Sequence, residues 1–160
     1  MAVSTWLAVN LADEQAEPVD VTELRLLMAS TLEAEGCPFE TEVSLILVGD
    51  EEMAEYNTRF LERAGPTDVI SLPIEDLAPG RPPTALPAGP PPMLGDVIVD
   101  PTHVRRQAEG MDVAFDDEMA LMVVHGLLHL LGYDHAEDAD AERMEARERE
   151  LLAAIGRSRR

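Results

Sequence analysis

The sequence predicts a single domain in which β-strands and α-helices are mixed. Its 160 residues are an ordinary length for one domain. Hydrophobic residues make up 46% of the chain and charged residues 28%, which are globular proportions and argue against disorder. Apolar residues alternate in some segments, as in strands, and recur at helical spacing in others.

The first half of the chain predicts the order strand, helix, strand, helix. Alternating apolar residues predict a strand over residues 3–10. The next helix has Asp20 as its N-cap, Glu23 at the reciprocal capping position and Gly36 after its end. β-branched and aliphatic residues predict a second strand over 41–48. The helix that follows carries its apolar residues at Met53, Tyr56 and Phe60.

Two short apolar runs, 68–72 and 94–99, predict a pair of strands. The segment 73–93 between them holds eight of the twelve prolines and therefore cannot form a helix or a central strand. We predict that it is a long, partly mobile loop insertion, and a solvated linker without a function is the simpler alternative.

Three more helices complete the single domain of residues 1–160. One begins at Asp100 and ends at Gly110, one covers 118–131 and one covers 139–155. The helix over 118–131 is apolar nearly all round, which predicts a place at the centre of the core. Residues 156–160 are predicted to be a flexible tail.

The net charge limits the partners that this chain can bind. Its 32 acidic residues and 12 basic residues, all of them arginine, give a formal charge of −20. General attraction to DNA or to an anionic membrane is therefore disfavoured. A polyanionic substrate would need a local arginine cluster or a bound cation, because salt screens the bulk repulsion beyond about 8 Å.

The single cysteine, Cys37, excludes an intrachain disulfide and is typical of an intracellular protein. The first ten residues lack the pattern of a secretion signal, and no run reaches the ~20 apolar residues of a membrane span. We therefore expect a soluble, cytoplasmic protein.

Three of the four histidines lie within eleven residues, His125 to His135. His125 and His129 are four positions apart, so a helix presents both on one face. If that helix continued, His135 would lie about 9 Å further along the axis and on the wrong side. Gly132 allows the chain to turn back, because glycine adopts a left-handed cap at little cost.

Three histidine ligands leave one open position on a tetrahedral zinc ion, which is typical of catalytic sites. A water molecule in that position would have a pKa near 7. Nickel and cobalt remain alternatives from the residues alone, as do three histidines satisfied separately in the core. The same spacing occurs in metzincin proteases, but those enzymes carry a glutamate base where this chain has Gly126.

These residues resemble a known family. The segment HGLLHLLGYDH at 125–135 looks like the motif of the YbeY family of zinc-dependent endoribonucleases. PTDVISLP at 66–73 is similar to the P-T-D-V-L-S-F-P of that family, and LGDVI at 94–98 to its L-G-D-[IL]-[VI]. All three blocks follow the order of the family, so the resemblance extends over about residues 3–155.

The resemblance implies an α+β, zincin-like fold, with a four-stranded mixed sheet flanked by about five helices. It implies one Zn²⁺ held by His125, His129 and His135, with His125 also at the catalytic centre. The implied activity is cleavage of single-stranded RNA during maturation of small-subunit ribosomal RNA and ribosome quality control. Its implied partners are a ribosomal RNA precursor and ribosomal proteins or a ribosome-associated GTPase. Binding to a membrane or to DNA is not expected.

Family members often carry an arginine five residues before the proline of P-T-D, and this chain has Leu61 there. Arg59 and Arg63 flank that position and either can supply the charge; of the two, we predict Arg59 as catalytic. Arg105 and Arg106 are further candidates for holding phosphates, although a solvated helix face explains them more simply.

Two other functions share the same metal site. A zincin-type metallopeptidase or other amide hydrolase would need a base from elsewhere, with Asp134, Asp96 and Asp68 as candidates. Asp134 is explained more simply as a turn residue or as one that orients a histidine ligand. The third hypothesis is a ribosome-associated binding module with a structural metal. His103 is expected on a helix surface, and Tyr133 is expected to serve in packing.

Overall fold

A computed structural model describes residues 9–160 of the chain. Within that range the strands are β1 (Val9–Asp13), β2 (Glu42–Leu47), β3 (Val69–Pro73) and β4 (Met93–Val99). The helices are α1 (Val21–Ala34), α2 (Asp50–Leu61), α3 (Pro101–Met111), α4 (Phe115–Leu130) and α5 (Asp138–Ala153). The predicted α+β class and its numbers of strands and helices are thereby confirmed. Most of the strand predicted over 3–10 lies outside the described residues.

The four strands form one mixed sheet in the order β1-β2-β4-β3. β1, β2 and β4 are parallel, whereas β3 runs antiparallel to β4, with Ile70 opposite Ile98 and Ser71 opposite Val97. The two predicted strands on either side of the proline-rich segment are thus paired. β3 lies at one edge of the sheet, where it also contacts α4.

Helix α4 lies at the centre of the main core. It contacts β3, β4, α1, α3 and α5, and eleven of its sixteen residues are buried. Three acidic side chains occupy its first turn, where the positive end of the helix dipole favours them. The apolar sequence of this helix follows from its position, because it has neighbours on nearly every side.

The opposite face of the sheet carries a smaller core. Val97 and Val99 pack with the main core, so the intervening Ile98 points to the other face. There it packs with Ile70, Val48 and Met53 of α2. The sheet is therefore covered on both faces, with α4 on one and α2 on the other.

The segment after α5 is held by ion pairs. Arg157 Nε lies 2.8 Å from Glu23 Oε1 on α1, and Arg159 Nε lies 2.7 Å from Glu148 Oε1 on α5. Arg160 Nε lies 2.9 Å from Glu118 Oε1 on α4. The sequence predicts that this segment is flexible. The ion pairs do not test that prediction.

None of the helices in the described part of the chain is long and apolar enough to cross a membrane.

Candidate metal centre

The last turns of α4 place two histidines side by side. His125 and His129 are one turn apart, and their Nε2 atoms lie 3.0 Å from each other. Both side chains are partly buried, although most residues around them on this helix are fully buried. The predicted i, i+4 pair therefore opens onto a cleft rather than into the core.

A turn after α4 brings the third histidine back to this pair. Gly132 has φ +95°, and an added Cβ would collide with the backbone carbonyl of Leu77. The amide of Tyr133 donates to the carbonyl of Leu128 at 2.9 Å and closes the turn. One ring nitrogen from each of His125, His129 and His135 then lies within 4.8 Å of the other two.

The proline-rich loop takes part in this turn. Its Leu77 packs against the main core, and the backbone of Leu77 and Ala78 occupies the space beside Gly132. The loop therefore contacts the segment that carries His135. A glycine is required at position 132 both for its positive φ and for this close approach.

The other ring nitrogens of the pair are held by acceptors. His125 Nδ1 lies 2.7 Å from Glu148 Oε2, and His129 Nδ1 lies 3.0 Å from the carbonyl oxygen of Tyr133. A carbonyl or carboxylate oxygen can only accept, so Nδ1–H donates in each case, and in a neutral ring this tautomer leaves the lone pair on Nε2. Carboxylate and carbonyl partners of this kind orient histidines that ligate metals.

Two lone pairs that face each other at 3.0 Å repel unless a cation lies between them. Two nitrogens bound to one tetrahedral zinc ion would be separated by about 3.3 Å, given Zn–N distances of 2.0–2.1 Å. The donor set of three imidazoles suits zinc, and also nickel or cobalt. The residues present therefore fit a metal ion of this kind.

The charges around the pair agree with that arrangement. Burial, with help from neighbouring His125, lowers the pKa of His129, which keeps its ring neutral and available as a ligand. Burial alone would raise the pKa of Glu148. The hydrogen bonds from His125 and Arg159 outweigh burial and lower this pKa, so Glu148 is a carboxylate.

The three histidines line a cleft of about 540 Å³. Leu121, Met122 and Ser71 form part of its wall, and Asp68 is the single carboxylate among the described residues that line it. Three arginines also line the cleft: Arg63, Arg159 and Arg160. Arg159 and Arg160 are each paired with a buried glutamate behind this wall, whereas no ion pair among the described residues engages Arg63.

Arg59, the arginine predicted as catalytic, does not line this cleft. It lies in a separate surface depression with Glu52, Glu55 and Tyr56, and its guanidinium carbon is 5.2 Å from the ring centre of Phe60. Arg63, the other residue flanking Leu61, is in the cleft, as is Leu61 itself. The helix end between residues 59 and 63 turns the two arginines to different surfaces.

Sequence reasoning missed Arg159, Arg160 and Glu148 as parts of this site. All three are remote in sequence from the histidine motif, and sequence spacing gives no sign that they approach it. Only the packing of α5 against α4 brings Glu148 to His125, and only the ion pairs of the last segment bring the two arginines to the cleft.

The position used by the protease base is closed in this fold. A Cβ on Gly126 would lie 2.5 Å from Val97 Cγ1 and 3.2 Å from Val69 Cγ2, so α4 touches the sheet at this point. The hydroxyl of Ser71 donates to the carbonyl of Gly126 at 3.0 Å across the same contact. A glutamate at position 126 would have no room.

The other candidate bases differ in their positions. Asp96 is paired opposite Leu72, which packs on the α2 face of the sheet, away from the histidines. Asp134 is exposed, and its Oδ1 accepts from the amide of His135 at 2.7 Å, as a turn residue does. Asp68 lines the cleft and accepts from the amide of Val69 at 2.7 Å.

A second cluster lies where α2 and α3 begin. Ligand atoms of Asp50, Asp100 and His103 lie within 4.8 Å of one another. Arg106 already donates to both oxygens of Asp50 at 3.0 Å, so a guanidinium supplies positive charge there. Arg105 is paired with Glu17, and neither arginine lines the histidine cleft.

Fold and site together define a class of protein. A single α+β domain carries three converging imidazoles that can hold a metal ion with an open position, beside a cleft lined by three arginines. Such a donor set is typical of metal-dependent hydrolases.

Comparison with known proteins identifies the family within that class. The family model for endoribonuclease YbeY matches residues 10–156. The chain therefore belongs to the endoribonuclease YbeY family, and the predicted resemblance to that family is confirmed.

Individual relatives match over nearly the whole chain. Endoribonuclease YbeY of Thermobifida fusca is 39% identical over 152 residues, which cover 95% of this chain and 96% of that protein. Endoribonuclease YbeY of Acidothermus cellulolyticus is 42% identical over 158 residues, with 96% and 94% covered. The solution structure of TM1509 from Thermotoga maritima aligns with a TM-score of 0.60 at 24% identity, covers 92% and 91% of the two chains, and shows a likeness of fold.

Proposed function

We propose that this chain is a zinc-dependent endoribonuclease that cleaves single-stranded RNA at the centre formed by His125, His129 and His135. Family membership supports the endoribonuclease activity. The observation that carries the proposal is the convergence of the two Nε2 lone pairs, at 3.0 Å, beside a cleft lined by arginines.

The three imidazoles would hold the metal ion and leave one position free for water or substrate. Zinc in such a site supplies a Lewis acid for a phosphate oxygen and acidifies water enough to give hydroxide near neutral pH. Because no carboxylate is needed beside the first histidine for this chemistry, Gly126 is compatible with it.

The residues of the chain prepare this chemistry. Glu148 and the carbonyl of Tyr133 hold the two rings in the tautomer that offers Nε2. The hydroxyl of Ser71 on β3 donates to the carbonyl of Gly126 on α4. This hydrogen bond fixes the position of the neighbouring His125 relative to the sheet. Arginines in the wall supply the positive charge that a phosphate backbone requires in a chain of charge −20.

Single-stranded RNA suits the cleft, because a flexible backbone can bend towards the histidines where a duplex cannot. We propose a small-subunit ribosomal RNA precursor as the substrate, with ribosomal proteins or a ribosome-associated GTPase as partners. A cytoplasmic location is part of this proposal, and the lone Cys37, which is buried as a free thiol, supports it.

The test compares substrates with and without the metal. Purified protein is incubated with single-stranded RNA, duplex RNA and casein, each with a chelator and with zinc restored. We expect cleavage of the single strand alone, loss with the chelator and recovery with zinc. Cleavage of casein would favour an amide hydrolase instead, and RNA cleavage that persists without metal would overturn the proposal.

A matched pair of variants assigns the activity to the centre. His129→Ala removes one ligand and is expected to abolish zinc uptake and RNA cleavage. His103→Ala removes a histidine outside the centre and is expected to retain both. Equal behaviour of the two variants would contradict the proposed site.

A further inference from the structure

The cleft collects positive charge from two distant segments of the chain. Arg63 follows α2 and precedes β3, whereas Arg160 lies in the segment after α5. Both line the cleft with the three histidines, and the nine arginines other than these two and Arg159 do not line it. These arginines are therefore concentrated at the cleft, where a substrate would meet the centre.

The segment that carries Arg160 forms ion pairs with two buried carboxylates of the protein. Its partners Glu118 and Glu148 have side chains only 1% exposed, and each receives a guanidinium of this segment within 3.0 Å. A buried carboxylate without its partner is strongly unfavourable, so these pairs keep the segment in place. Arg159 and Arg160 are thus placed beside the cleft by contacts within the protein.

Two of the three guanidinium groups have terminal nitrogens without a partner among the described residues. Arg160 donates through Nε to Glu118, and its terminal nitrogens have no partner among the described residues. Arg63 is exposed, and no ion pair engages its guanidinium within residues 9–160. Arg159, by contrast, donates to Glu148 and to the carbonyl of Arg160.

We propose that Arg63 and Arg160 bind phosphates of the RNA on the way to the histidine centre, in the role that Arg59 was predicted to have. The inference rests on the proposed function. A planar guanidinium with free donors matches phosphate oxygens in pairs. Within the Debye length of about 8 Å, they act on a phosphate despite the negative charge of the rest of the chain.

The experiment measures binding separately from cleavage. Zinc-loaded protein is titrated with a fluorescein-labelled, single-stranded 2′-O-methyl RNA oligonucleotide at several salt concentrations. Arg63→Ala and Arg160→Gln are each expected to weaken binding roughly fivefold to twentyfold at low salt. The slope of log affinity against log salt should become shallower by about 0.7 for each lost phosphate contact.

Arg149→Ala is the matched control. Arg149 is an exposed arginine of α5, it does not line the cleft, and its replacement changes the net charge by the same single unit. Its salt slope should equal that of the unaltered protein. Arg160→Lys retains the charge, so its slope of log affinity against log salt should be close to that of the unaltered protein. In a separate cleavage assay, Arg63→Ala should raise KM for cleavable RNA with little change in kcat.

The outcomes separate this inference from the proposed function. If the unaltered protein cleaves RNA but Arg63→Ala and Arg160→Gln bind like Arg149→Ala, the inference is wrong and the function stands. If the unaltered protein neither binds nor cleaves RNA, the proposed function itself fails. A fall in zinc content that explains the weaker binding of both variants would also overturn the inference. Arg63→Ala keeps the test valid should Arg160→Gln unfold, because Arg63 is exposed.

Discussion

Glu148 Oε2 lies 2.7 Å from Nδ1 of His125, although the two residues are 23 positions apart and lie on different helices. Glu148 is almost completely buried and is also paired with Arg159. A carboxylate is therefore held at the back of the first histidine, where it fixes the orientation of the ring.

Replacing Glu148 should weaken zinc binding. Glu148→Ala is expected to lower zinc affinity by about 10- to 100-fold, and Glu148→Gln by less, because the amide oxygen still accepts from Nδ1–H. A competition titration with a chromogenic chelator measures both. Glu142→Gln, an exposed change on the same helix, is the control and should leave the affinity as it was. Equal zinc affinity in all three variants would contradict the role assigned to Glu148.

Gly126→Ala should destabilise the fold, because the added methyl group meets Val97 where α4 touches the sheet. We expect a loss of about 1–3 kcal/mol in the free energy of unfolding, measured by urea denaturation. Gly110→Ala is the matched control, since Gly110 is an exposed helical glycine with open space around its Cβ position. That change should stabilise the protein by roughly 0.5–1 kcal/mol. If Gly126→Ala left the free energy of unfolding unchanged, the contact between α4 and Val97 would be looser than described.

Gly132→Ala should disturb both stability and the metal centre. The position combines φ +95° with contact to the backbone of Leu77, so a methyl group forces the turn that carries His135 to move. Gly65→Ala separates the two effects, because Gly65 also has positive φ but no atom near its Cβ position. In each variant, backbone strain should lower the free energy of unfolding by about 1–2 kcal/mol. Only Gly132→Ala should also lose zinc affinity, and the same loss in Gly65→Ala would refute this explanation.

Asp100 makes stability depend on pH. Burial, with help from neighbouring Asp50, raises the pKa of Asp100 to about 7, whereas an unfolded aspartate titrates near 3.9. The folded state therefore binds this proton more tightly than the unfolded state does. Protonated Asp100 makes its whole contribution to the free energy of unfolding below about pH 4, and that contribution is lost as the pH rises through 7. Hydrogen bonds from Arg106 lower the pKa of Asp50 to about 2, so that group contributes in the opposite sense and only at lower pH.

Asp100→Asn should remove this dependence while keeping an acceptor for the amide of His103, which caps α3. Relative to the unaltered protein, the variant should gain about 1–3 kcal/mol of stability between pH 5 and pH 8. Urea denaturation at the two pH values measures the gain. Asp20→Asn, at the exposed N-cap of α1, should show no such gain. If the two variants respond alike to pH, the burial of Asp100 is not the cause.

Much of the fold could be predicted because its signals are local. The N-caps Asp20 and Asp100 each accept the amide hydrogen bond that their helix start requires, and both helices begin where the sequence predicts. Helix α4 begins at Phe115 rather than at 118, because its acidic first turn lacks the apolar pattern that marks the rest. Boundaries of this kind depend on capping and packing more than on periodicity.

The arginines could not be assigned in the same way. Arg59 and Arg63 are four residues apart, and the sequence offers no means to tell which faces the histidines. The left-handed residue Glu62 ends α2 between them, and only Arg63 is left beside the cleft. Arg160 reaches the cleft through an ion pair with a buried carboxylate of another helix, which no spacing predicts.

The sequence by itself determined the order of strands and helices and the trio His125, His129 and His135, because helical spacing and the glycine at 132 are properties of a few adjacent residues. The tertiary structure alone decided what surrounds that trio: the carboxylate behind His125, the sheet that closes position 126 and the arginines that line the cleft. These contacts join residues that are distant along the chain, and their meeting depends on how whole helices and strands pack.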